Sequence, residues 1–184
     1  MFKKKNNKGF TLVELLVVIA IIGILAVVAV PALFKNINKA KVADLQSDYN
    51  AFKSASLSYY AEKNTYPIGV TGSADATDLK KILDGEMESV PTKSPLSTIG
   101  GSYEIKEVKV NSGSTGNNSL ALIANKNKIT EPQAEKLVNE FGDVVGKIDA
   151  NGVFIKGEIA NLKGEDQTIA ILLMQNTSGF KPAD

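Results

Sequence analysis

The sequence predicts an α+β protein: a long N-terminal α-helix, apolar in its first half and amphipathic in its second, packed on a small antiparallel β-sheet head with short helices. Three observations carry this. Twenty consecutive residues, Leu15 to Phe34, hold no charge. A stripe then recurs every three or four positions, at Val42, Leu45, Tyr49, Phe52, Ser56 and Tyr59, which is the helical period. Beyond Pro67, short alternating runs are separated by Gly, Asn, Asp and Pro, the punctuation of strands and turns.

Composition narrows the function. The 184 residues suit one domain plus an extra element. The chain has no cysteine and no histidine. Disulfides, thiolate metal sites and a cysteine nucleophile are excluded, and the commonest general base is missing. The net charge of +1 hides an asymmetry. Four of the 21 basic residues, Lys3, Lys4, Lys5 and Lys8, precede Gly9, leaving 17 against 20 acidic residues, a net of −3. A mildly acidic body argues against nucleic acid as a partner, because duplex binding leans on clustered Lys and Arg.

The uncharged run is long enough to cross a bilayer core, since 20 residues at about 1.5 Å rise span about 30 Å. Nine of the 20 are Val or Ile, mediocre helix formers in water, but in lipid only a helix satisfies the backbone of an isolated segment. Its 14 large apolar side chains favour insertion by about 4–8 kcal/mol, against roughly 3 kcal/mol for a charged acid at the centre and less near an end. The segment therefore inserts with Glu14 charged. The leader lysines stay cytoplasmic, sending the body outward. A secretory signal peptide fits poorly, because the apolar region is too long and Val30-Pro31-Ala32 is a weak exit. A permanent single-pass anchor explains the lysines and the run, but not the Gly-Phe-Thr junction or Glu14.

The stretch Lys8-Gly9-Phe10-Thr11-Leu12-Val13-Glu14, followed by the uncharged run, resembles the class III signal of type IV pilins. The likeness is strongest over residues 1–35 and weaker along the amphipathic helix. It implies that a prepilin peptidase removes residues 1–9 by cutting between Gly9 and Phe10 and then N-methylates Phe10. It implies further that Glu14 docks against the new amine of Phe10 in a neighbouring subunit. That role fits the cost of a lone buried charge, since removing one partner of a buried pair costs roughly 3–5 kcal/mol. A competing reading is that a carboxylate in the first helical turn simply suits the helix dipole. Gly23 and Pro31 stand where the family tends to carry helix-loosening residues. The segment between them then either unwinds in a filament or merely kinks. The lack of cysteines to close the C-terminal region, unlike many Gram-negative pilins, points to a Gram-positive source.

The expected organisation is leader 1–9, transmembrane and filament-core helix 10–35, amphipathic helix half 36–64, and globular head 65–184. The helix should end near Asn64, before Pro67. Its apolar stripe faces the head; a coiled-coil seam is the lesser reading, being short and interrupted by Ser56. Residues 65–76 read as a loop, and a short helix near Asp78 to Asp84 ends at Gly85. Met87 to Pro95 reads as extended. Tyr103 to Val110 alternates as a strand with a phase slip near Glu107 that suggests a bulge. Asn111 to Ser119 is a flexible polar loop, and Leu120 to Ala124 the returning strand. Thr130-Glu-Pro-Gln133 is a capping-box pattern opening a helix that stops at Gly142. Val144 to Ile148 and Val153 to Ile159 form a hairpin through Asp149-Ala-Asn-Gly152, and Gln167 to Gln175 closes the sheet.

No cofactor, metal cluster or catalytic constellation is expected. Asp149, Asn151 and Gly152 faintly imitate a calcium loop but lack the later acid, so a plain turn is the better reading. No Gly-rich phosphate loop or G-x-S-x-G elbow is present, and an enzyme is not expected. Sortase-type sorting residues near Asp184 are also missing, against covalently built pili. The resemblance implies a major pilin: a homopolymer made at the cell membrane and displayed as an extracellular filament for adhesion, aggregation and twitching motility. An assembly platform and cytoplasmic motors would drive it. A pseudopilin of type II secretion or a competence (DNA-uptake) filament subunit shares the same N-terminus. A membrane-anchored binding protein that never polymerises is the alternative of a different class.

Overall fold

A computed structural model of the chain describes residues 9–68, 73–97, 100–110 and 117–175. The chain forms two compact units, residues 1–37 and residues 38–184.

Helix α1 runs Leu12–Lys63 with Pro31 inside it. Within the first unit the residues from Gly23 to Pro31 are helical throughout.

In the second unit α1 buries Val42, Leu45, Tyr49, Phe52, Ala55 and Ser56. The stripe read from the sequence thus lies in the protein's own core and is no coiled-coil seam. Phe52 meets Tyr103 edge-on at 5.3 Å between ring centroids, and Tyr49 meets Phe141 edge-on at 5.4 Å. Burying one such ring is worth about 1.5–3 kcal/mol, and edge-on pairs add about 0.5–1.5 kcal/mol. The polar ends of the tyrosines are satisfied. The Tyr49 hydroxyl donates to the Leu172 carbonyl at 3.0 Å, and the Tyr103 hydroxyl donates to Asp48 at 2.8 Å. The helix stops at Lys63 because Asn64 turns left-handed, with φ 54°, while its N–H still reaches the Tyr60 carbonyl.

Strands β1 (Ser73–Ala74), β2 (Tyr103–Val110), β3 (Asn117–Ile129), β4 (Val145–Ile148), β5 (Val153–Lys156) and β6 (Gly164–Met174) form one sheet in the order β1-β2-β3-β6-β4-β5. The sheet is antiparallel at every one of these steps. It also curls until β5 meets the C-terminal end of β2, where Lys109 and Val110 pair in parallel with Val153 and Phe154. The antiparallel sheet expected from the sequence is therefore a mixed one.

Curling gives the sheet two cores. One face, with α1, buries Tyr103, Ile105, Leu120, Leu122, Ile169 and Ile171. The other encloses a smaller cluster of Val108, Ala121, Ile123, Phe154, Ala170 and Leu172. Strands β3 and β6 are buried on both sides, which is why Ile169 to Met174 is apolar without alternation. The same arrangement corrects the bulge expected near Glu107. The β2–β3 register is unbroken from Tyr103↔Ala124 to Val110↔Asn117. The phase slips because the first half of β2 feeds one core and the second half the other.

Several boundaries move for local reasons. Helix α2 is Ala76–Ile82, earlier than expected, because the Asp75 carboxylate caps it through the N–H groups of Thr77 and Asp78. Gly85 falls in the turn beyond the helix, with φ 94°. The short strand β1 lies in the segment read as a loop, and Met87 to Pro95 holds no strand. Residues 111–116 of the polar loop lie outside the described residues, whereas Asn117 to Ser119 belong to β3. Strand β3 continues past Ala124 because buried Asn127 bridges two carbonyls, Ala124 and Gln167, across the irregular pairing with β6. Helix α3 is Glu131–Phe141, closing at Gly142 as expected. The β5 strand ends at Lys156, not Ile159. The chain turns at Gly157 into a short helix α4, Ile159–Leu162, where the Asn161 side chain accepts from the Glu158 N–H at 2.8 Å.

Two outcomes are expected. A Cβ on Gly146 would overlap the Ile155 carbonyl and the Phe154 ring. Gly146→Ala should therefore cost about 1–3 kcal/mol, as overpacking does, read as a lower melting temperature of the full chain in detergent. Asp48 is raised above the ordinary carboxyl value by burial, opposed by the Tyr103 hydrogen bond and reinforced by nearby Asp44. The folded chain then keeps a proton that the unfolded chain has released. The stabilising share is complete below the unfolded value and is lost as pH rises through the folded one. Asp48→Asn keeps an acceptor for Tyr103 without the charge. It should raise the melting temperature at neutral pH, with the gain shrinking as the solution is acidified; a gain independent of pH contradicts this cause.

Candidate functional site

The feature that sets this chain apart is the first half of α1. Every large apolar side chain from Phe10 to Phe34 is exposed, from Phe10 at 86% to Val18 and Val30 at 46%. Mean hydropathy over its most apolar 18 residues is 3.1, and none of them is buried. Such a surface far exceeds the few hundred Å² of contiguous apolar area that soluble monomers expose.

Its N-terminal end carries a polar mark. Thr11 precedes the helix, and Glu14 sits in the first turn. One oxygen of Glu14, Oε2, accepts from the Thr11 N–H at 2.9 Å and from the Thr11 hydroxyl at 2.8 Å. The Glu14 N–H in turn reaches Thr11 Oγ1 at 3.3 Å. This is a reciprocal capping box, satisfying donors that a helix end leaves orphaned. The Thr-x-x-Glu spacing was present in the sequence, and the reading of Glu14 as docking mark or dipole partner passed over it. Both bonds use the same oxygen, so Oε1 has no partner among the described residues.

Gly9 and Phe10 are exposed and precede the helix. Gly23 has no packing reason within the chain, because a Cβ there would touch nothing. Pro31 lies in the same exposed stretch. The structure thus puts Gly9, Phe10, Thr11 and Glu14 together at one end and leaves Gly23 and Pro31 further along the helix.

The faint calcium-loop pattern resolves as a turn. The Asp149 carboxylate accepts from the N–H groups of Asn151 and Val153, each at 2.8 Å. The bond from Val153 chiefly holds its carboxyl below the ordinary range, with slight burial opposing. Among the described residues no group of three or more potential metal ligands occurs.

A family model for the prokaryotic N-terminal methylation motif matches residues 4–30, and a second, PilW C-terminal, matches residues 36–120. A type IV major pilin protein of Neisseria gonorrhoeae is 39% identical over 107 residues, covering 58% of this chain and 49% of that protein. The type II secretion system core protein G of Klebsiella michiganensis is 40% identical over 65 residues, covering 35% of this chain and 46% of that protein. The solved structure of the major type IV pilin PilA1 from Clostridium difficile superposes with a TM-score of 0.60 at 30% identity, covering 76% of this chain and 98% of that one. The chain spans about half the length of these curated relatives.

The capping box predicts a split between two substitutions. Glu14→Gln retains an amide oxygen for Thr11, whereas Glu14→Ala retains nothing. Amide hydrogen exchange at Leu12 to Leu15 in micelles should accelerate several-fold in the alanine variant and stay near the parent in the glutamine variant. Equal acceleration in both would show that the charge, not the acceptor, holds the turn.

Proposed function

The chain belongs to the type IV pilins, and we propose that it is a major pilin, a structural subunit that polymerises through its N-terminal helix into a surface filament. The observation that carries this reading is the exposed apolar half of α1, capped by a single acid. Before assembly the stretch 10–35 spans the cell membrane with the lysines cytoplasmic; afterwards it lines the filament core and residues 65–184 face outward, with 36–64 joining the two. A prepilin peptidase removes residues 1–9 at the Gly9–Phe10 bond and methylates the Phe10 amine. Glu14, whose Oε1 has no partner among the described residues, receives that amine from a neighbouring subunit, which fixes axial register. Gly23 and Pro31 supply the give that packing requires. An assembly platform and cytoplasmic motors extend and retract the filament, which serves adhesion, aggregation and twitching motility. The cysteine-free chain supports a Gram-positive source.

A second reading, a pseudopilin of type II secretion, is favoured by the likeness to core protein G. A competence filament subunit falls in the same class.

Shearing cells and sequencing the released material tests the reading. Filaments built of this chain, each copy starting at methylated Phe10, are expected. Full-length chain that keeps its lysines and stays in membranes overturns it. Glu14→Gln, which preserves the cap but not the charge, should abolish filaments as thoroughly as Glu14→Ala. Filaments of normal yield from the glutamine variant would reduce Glu14 to a cap.

A further inference from the structure

The second half of α1 has one face in the core and another that is exposed. Ala43, Ser47, Ser54, Ser58 and Ala61 recur three, four or seven apart and are exposed, and Leu57 beside them is 50% exposed. Small residues at helical spacing allow another element to approach the backbone closely. What makes this face specific is the charge along its two edges.

On one edge, residues 86–89 run beside α1 and leave a groove of about 600 Å³ lined by Ala51, Ser54, Ala55, Glu86, Met87 and Glu88. Asp44, seven residues before Ala51, lies on that same side, close to two helical turns away. On the other edge stand Lys39 and Lys53, fourteen residues or about four turns apart and so aligned. Lys53 lies over the Tyr49 ring at 5.6 Å, and Lys136 of α3 reaches the Lys39 carbonyl at 3.2 Å, adding a third cation. The three ion pairs among the described residues are Lys128–Glu165, Lys156–Asp143 and Lys163–Glu131, so none of these edge charges is paired with another described residue.

We propose that the acidic groove between α1 and residues 86–89 receives the lysine edge of a second copy, with Lys53 set against Glu86 and Glu88. The proposal rests on the filament reading and adds a surface to it. Acid on one edge and base on the other make a patch that is complementary to its neighbour's opposite edge rather than to itself. A contact of that kind is heterologous. It repeats without closing, as an open helical filament requires. It also continues the apolar contact of residues 10–35 along the same helix. Its charges set orientation and register, and the apolar half supplies the tightness.

Charge exchange tests it in cells that assemble the parent. Lys53→Glu and Glu88→Lys should each reduce sheared filament by about tenfold, and the double variant should recover most of it, because the exchanged edges are again complementary. The amount of chain in the membrane should be the same for all. The chain has no cysteine, so Lys53→Cys with Glu88→Cys gives a clean pair. Mild oxidation of filaments should then produce a ladder of multiples of this chain, absent from either single variant. Full yield from both single reversals, or no ladder from intact filaments, overturns this contact and leaves the filament reading standing. A ladder joining this chain to a different protein assigns the groove to another partner and also overturns it. A parent that forms no filament fails the earlier reading, and this one with it.

Discussion

An apolar helix half whose large side chains are all exposed governs this protein. From Phe10 to Phe34 every large apolar side chain is open to its surroundings. Hydrocarbon rewards that surface by about 4–8 kcal/mol, and packing against like helices removes it from water equally well. On the filament reading proposed above, two environments satisfy the same residues: lipid before assembly and other copies after it. Transfer between them would then depend on polar marks that lipid tolerates and a bundle can use.

Glu14 is such a mark, and the structure gives it two attachments. Its Oε2 closes the first turn of the helix with Thr11, and Oε1 has no partner among the described residues. A capped carboxylate loses less on leaving water than a bare one, since part of its hydrogen-bonding is kept inside the segment. The cap is thus compatible with the proposed docking role: one oxygen serves the chain, and the other is available to a neighbour. The Thr-x-x-Glu spacing places both within one turn of the Gly9–Phe10 junction.

Beyond residue 37 the same helix obeys a different rule. Its apolar residues gather on one side, and the curled sheet covers them. The helix is tied to the head by few but specific polar contacts: Tyr49 to the Leu172 carbonyl, Asp48 to Tyr103, and Asn38 to Gln133, whose other amide atom caps α3 at Thr130. These fix the rotation of the helix on the sheet. That rotation decides which face remains outward, and so where the small residues and the two charged edges point.

The long helix, its change of character, its end at Asn64, the α3 helix with its Thr130–Gln133 pattern, and the Asp149–Gly152 hairpin were legible because each is written in local chemistry: period, caps and turn residues. Less was legible where two distant segments had to meet. The strand read as Leu120 to Ala124 extends through Asn125 to Ile129, where Asn127 finds the Gln167 carbonyl, 40 residues away. The slip in β2 looks like a bulge until the sheet is seen to bury opposite faces in its two halves. At the N-terminal end the sequence carries the Gly9–Phe10 junction and Glu14, and the structure adds the Thr11–Glu14 bond. The sequence by itself determined which residues avoid water and at what spacing, since burial preference and helical period are properties of the residues in order. Only the tertiary structure decided which apolar residue enters which core, and that Glu86 and Glu88 stand across α1 from Lys53. Those pairings join parts of the chain whose separation no local rule encodes.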